Sequence, residues 1–93
     1  MNLTKKTVIT WQTAEDADNP TISQHRAVKI QQMAESGQTN GICVETATAT
    51  FERYWIDQAA AQEYIDFITA EANQILGQVI TNWQIQDYTP PTE

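Results

Sequence analysis

The stretch Phe51-Glu52-Arg53-Tyr54-Trp55-Ile56-Asp57 reads as a β-strand with large apolar groups on both of its faces. Side chains alternate across a strand, so Phe51 and Trp55 point one way with Arg53 between them, while Tyr54 and Ile56 point the other. A chain of 93 residues makes one domain, marginal in the fraction of surface that it can bury alone. Its helices suffice for one face of a sheet. The second face calls for a cover, and the nearest source is a second copy of the same chain.

The segments around this strand follow from periodicity. Residues 6–13 alternate, with Ile9 and Trp11 on one side and Val8, Thr10 and Gln12 on the other, which predicts a first strand. Acids, Asn19 and Pro20 make residues 14–20 a loop. Thr21 or Ser23 then caps a helix running to about Ser36, where Gly37 supplies a left-handed stop. Its inward stripe is Ile22, Arg26, Ile30 and Met33, with Val28 off the stripe. Asn40-Gly41 marks a turn, and a long β region follows over 42–57. At about 3.3 Å per residue that region is too long for one straight strand in so small a domain. It divides into strands 42–46 and 50–56 about a turn or bulge near Ala47-Thr48-Ala49, although none of the usual turn residues stands there.

Asp57 is a good N-cap for a second helix, since its carboxylate accepts from free first-turn amides and suits the positive helix end. Ala61, Tyr64, Ile65, Ile68, Ala72, Ile75 and Leu76 recur at intervals of three and four, and Gly77 ends the run. Gln62, Glu63, Asp66 and Asn73 fall on the wet side. Residues 79–87 alternate again, with Val79, Thr81, Trp83 and Ile85 on one face. Pro90-Pro91 ends ordered structure, leaving a single domain with a core over about 5–88 and a tail over 89–93. The predicted order is β-α-β-β-α-β, an α+β fold.

Charge narrows the partners. The net charge is −7, and residues 54–93 carry six acidic groups with no Lys or Arg. Phosphate backbones and anionic membranes are bound through Lys and Arg, so neither nucleic acid nor a membrane surface is an expected partner. The acidic excess reads as a solubility device, or else as a docking surface for a basic partner. No window approaches the length of a membrane span, and the first residues lack the apolar core of a secretory signal. The single cysteine, Cys43, permits no internal disulfide and suits a reducing, cytoplasmic setting.

Candidate chemistry is sparse. His25 is the only histidine and reads as a surface residue rather than a catalytic base. Glu15, Asp16 and Asp18 are spaced as a hard cation prefers, but the loop lacks the Gly and distant Glu of a calcium hand, so no metal and no cofactor are expected. Cys43, between Ile42 and Val44, reads as a small buried hydrophobe. Phosphate loops, nucleophile elbows and paired-histidine metal patterns are missing. A ligand site would have to be a pocket, lined by Phe51, Arg53 and Trp55, or else by Tyr54 and its neighbours, together with Trp11 or Trp83. Arg53 is the odd member: a guanidinium on an aromatic face pairs with Glu45 or Glu52, stacks, or holds an anion.

From Arg53-Tyr54-Trp55-Ile56-Asp57 into Gln58-Ala59-Ala60-Ala61-Gln62-Glu63-Tyr64-Ile65-Asp66-Phe67, an aromatic strand end runs into a capped, Ala-rich helix start. This resembles the dimeric ferredoxin-like (dimeric α+β barrel) superfamily, and also small marine and phage-type proteins of similar length. The resemblance implies a four-stranded antiparallel sheet with two helices on one face and dimerisation through the other. It includes small monooxygenases, isomerases and haem-degrading enzymes, but no second histidine or haem ligand is present here, so no catalytic residue carries over. The expected function is that of a non-enzymatic homodimeric accessory or assembly protein. The alternative is a cofactor-independent small-molecule-binding enzyme with an apolar pocket between sheet and helices.

Overall fold

In a computed structural model, residues 2–91 are described. Strand β1 (Lys5–Trp11) leads into a one-turn helix α1 (Ala14–Ala17) and a long helix α2 (Pro20–Glu35). Strands β2 (Thr39–Ala47) and β3 (Thr50–Trp55), helix α3 (Gln58–Ile75) and strand β4 (Ile80–Asp87) complete the order β-α-α-β-β-α-β. The sheet has four strands in the order β2-β3-β1-β4, every neighbouring pair antiparallel.

Local chemistry explains where this order departs from the periodicity. Residues 14–17 form a turn of helix, not a loop, because the Thr13 hydroxyl accepts from the Asp16 amide at 3.1 Å. The cap of α2 is Asn19, neither Thr21 nor Ser23: its side-chain oxygen accepts from the amides of Thr21 and Ile22 at 3.0 and 3.2 Å. Pro20 occupies the first helical position, where its missing N–H is no loss. Gly37, at φ 74°, closes α2 by a left-handed turn in which Gln38 donates to Met33 and Gly37 to Ala34.

Strand β2 begins three residues earlier than the predicted 42 and takes in the supposed Asn40-Gly41 turn. Gly41, at φ 76°, instead makes a bulge, so the pairing jumps from Thr39↔Trp55 to Cys43↔Arg53. The β2–β3 hairpin closes through Thr48-Ala49, the place where no turn residue stands. Ala49 takes the left-handed conformation, φ 60°, which a glycine would hold more easily. It is buried, and its carbonyl accepts from the Trp11 amide at 2.8 Å. The methyl that strains the turn also fills the core.

Helix α3 follows its stripe closely. Asp57 accepts from the Ala60 amide at 2.8 Å, and Ala61, Tyr64, Ile65, Ile68 and Ala72 are buried. Leu76 is exposed, because it is the cap residue beyond the last inward turn. Both long helices pack on the face of the sheet that carries Thr7, Ile9 and Trp11 of β1 with Phe51, Arg53 and Trp55 of β3.

The opposite face carries less apolar surface than the alternation of 51–57 suggests. Strand β3 ends at Trp55, so Ile56 lies past the sheet and packs against the edge of the core. That leaves Tyr54 and Glu52 from β3, with Glu52 paired to Lys6 at 2.9 Å and Gln86 donating to Gln84 at 2.6 Å on β4. Tyr54 packs on Tyr88, their ring centres 4.7 Å apart. One solvated face is ordinary for an antiparallel sheet. The structure therefore does not itself require a second copy.

The turn yields a test. Ala49→Val places a β-branched side chain at positive φ and is expected to cost about 2 kcal/mol in urea denaturation, whereas Ala49→Gly exchanges relieved strain for lost packing and should stay within about 1 kcal/mol of the parent.

Candidate functional site

Two inward stripes each carry one charged residue. On α2 the stripe Ile22, Arg26, Ile30, Met33 has three buried apolar members and a half-buried arginine. On β3 the inward run Phe51, Arg53, Trp55 repeats the pattern. A guanidinium does not pack as leucine would, and it keeps its head where it can be solvated. The fold brings the two together. Arg26 and Arg53 bound one cavity of about 70 Å³ beneath the helix layer. Both also line a broader outer groove of about 470 Å³ between α2 and the Gly41 bulge.

The inner cavity has an apolar floor and polar walls. Ile9, Trp11 and Phe51 form the floor from β1 and β3, Thr7 and Tyr64 stand at the side, and Asp18 and Cys43 lie at exposed positions on the rim. Arg26 is held by its own neighbourhood, donating to the Ala17 carbonyl at 3.1 Å and to the Ser23 hydroxyl at 3.3 Å. Arg53 lies over the Tyr64 ring with its guanidinium carbon 5.8 Å from the centroid, a cation–π arrangement. Burial pushes the Tyr64 phenol above its ordinary value, and the nearby Arg53 and Arg26 charges pull it part of the way back.

Trp55 lies behind the cavity, not in it. It is fully buried, its indole N–H donates to the Thr7 hydroxyl at 3.0 Å, and its ring stacks on Tyr64 with centroids 4.8 Å apart. This fixes Tyr64, which in turn carries Arg53. Of the six residues singled out from the sequence, Arg53, Phe51 and Trp11 thus meet at one cavity and Trp55 supports it. Tyr54 is on the other face with Tyr88. Trp83, 42% exposed on the edge strand β4, lines a separate shallow groove with Thr69 and Asn73 of α3.

No protein-family model, curated protein or solved structure matches this chain. The site must be read from its own residues.

Arg26, Tyr64, Thr7 and Asp18 were not singled out as site residues from the sequence. The usable signal was the charged residue on an apolar stripe, which Arg26 shares with Arg53. Cys43 is exposed rather than buried, because β2 is an edge strand. His25 lines a different groove, where its Nδ1 meets a Glu71 carboxylate oxygen at 2.6 Å and ties α2 to α3 beside the Lys29–Glu63 pair. Among the described residues no cluster of three metal-ligating side chains occurs, and no helix is long and apolar enough to cross a membrane.

The raised Tyr64 phenol sets an alkaline limit. Its neutral form is favoured by the folded state, so stability is held below the ordinary value of 10.0 and lost as pH rises through the raised one. Thermal melts between pH 9 and 12 should show a falling arm that is shallower in Tyr64→Phe than in the parent.

Proposed function

We propose that this chain is a ferredoxin-like binding domain that holds a small molecule between α2 and the sheet without transforming it, in an accessory role. The observation that carries this reading is the cavity on which Arg26, Arg53 and Tyr64 converge over an apolar floor. Ligand sites pair apolar walls with a few placed polar groups in this way. The groups favour holding over chemistry: the one histidine is committed to Glu71 in another groove, so it is no base for the Cys43 thiol at the rim. The strand order β2-β3-β1-β4 and the two long helices on one face support the ferredoxin-like assignment, with α1 as an addition to the first crossover. The exposed lone cysteine supports a reducing, cytoplasmic setting.

Binding is testable with tryptophan fluorescence and amide chemical shifts while short carboxylates and alcohols are titrated to millimolar levels. Shifts centred on Trp11, Phe51 and Arg53 are the expected result. Silence at those positions for every probe would withdraw the reading.

A second copy on the open face is the accompanying proposal, and it is favoured by one observation. Ile42 and Val44 on β2 are 53% and 40% exposed, and Val44 stands opposite Glu52 on the face away from the helices. Light scattering during dilution toward nanomolar concentration should show a dimer, and Val44→Lys should shift it to monomer. A monomeric parent chain at every concentration would remove the second copy while leaving the binding reading intact.

A further inference from the structure

We infer that the ligand of this cavity is a short aliphatic monocarboxylate, its charged end clasped by Arg26 and Arg53 and its tail laid against Trp11 and Phe51; this rests on the binding reading above. The first ground is how the cations are distributed. The chain has five Lys and Arg against twelve Asp and Glu. All three lysines are paired: Lys5 with Asp87, Lys6 with Glu52 and Lys29 with Glu63. Among the described residues, neither arginine has a carboxylate within ion-pair distance, and both line the same cavity. Two half-buried like charges facing one space repel each other, and an anion between them turns that repulsion into attraction.

The second ground is geometry and charge at the rim. A guanidinium is a planar fork that matches a carboxylate with two parallel hydrogen bonds. Among the described residues Arg53 has no carboxylate partner and lies against the Tyr64 side chain, while Arg26 is positioned by Ala17 and Ser23 through one of its terminal nitrogens. Asp18 stands on the same rim without pairing to either arginine, so a second negative charge on the ligand would meet it. That favours a monocarboxylate over a dicarboxylate or a phosphate dianion.

The third ground is size. A dry cavity of about 150 Å³ admits benzene. This one, at about 70 Å³, excludes a buried ring and leaves room for a tail of a few carbons on the floor of Ile9, Trp11 and Phe51. Longer tails would have to run out along the groove between α2 and Gly41.

The experiment titrates acetate, butyrate, hexanoate, succinate and 1-butanol, following Trp fluorescence and amide shifts in the full chain. Each methylene that enters the cavity should tighten binding about fourfold until the cavity is full. Butyrate is expected to bind at least tenfold tighter than butanol and more tightly than succinate. Arg53→Gln and Arg26→Gln should each weaken butyrate at least tenfold without altering the response to butanol. Should either variant fail to fold, Arg53→Lys, which keeps the charge and loses the fork, should fold with the parent's melting point and still weaken butyrate. Butanol binding as tightly as butyrate, or an unchanged butyrate affinity in folded Arg53→Gln or Arg53→Lys, would overturn the carboxylate assignment while the pocket stands. No response to any of the five probes would overturn both.

Discussion

The indole of Trp55 is the point on which the arrangement depends. Its N–H is satisfied by the Thr7 hydroxyl from the neighbouring strand, and its face is covered by Tyr64 from α3. A buried indole without a partner for its N–H would be costly, so this contact fixes which face of β3 meets the helices. Once that face is chosen, Arg53 must point inward as well, since it is two residues away on the same strand. The ring that covers Trp55 then becomes the surface over which Arg53 lies. Core packing and the cavity wall are one construction.

Arg26 joins that construction through a different periodicity. It is four residues beyond fully buried Ile22 on α2, one turn along the inward stripe. The helix is steered by Asn19 and Pro20 at its start and by the Gly37 turn at its end. Its docking leaves the guanidinium against the C-terminal end of α1, whose Ala17 carbonyl holds it. The short helix therefore does more than connect two elements: it orients one of the arginines that bound the cavity.

The acidic character of the chain takes on a specific shape in three dimensions. Carboxylates sit beside the lysines and the histidine at the Lys5–Asp87 end of the β1–β4 pair, on the open face of the sheet and in the groove between the long helices. The Lys29 ammonium beside Glu63 holds that carboxyl below the usual carboxylate range, with Gln38 donating to it as well. Pairs that water still reaches on at least one side contribute little to stability individually. Their consequence here is one of allocation, since among the described residues they occupy the lysines and leave the two guanidiniums to line the cavity.

Periodicity and end signals determined the four strands, the two long helices, the Asp57 cap and the inward stripes, because burial imposes a repeat of two or about 3.6 wherever one face of an element is dry. The Phe51–Asp57 alternation was legible, yet it did not reveal where β3 stops, and that decided that Ile56 leaves the open face. The Ala49 turn and the Gly41 bulge were illegible for a related reason: a left-handed alanine is tolerated only because tertiary contacts surround it, and a glycine at positive φ serves a bulge as well as a turn. Arg53 could be picked out alone as a charge on an apolar strand. That Arg26, 27 positions earlier on another element, stands across the same cavity depended on the crossover bringing α2 over β2 and β3, a long-range contact that no local pattern encodes.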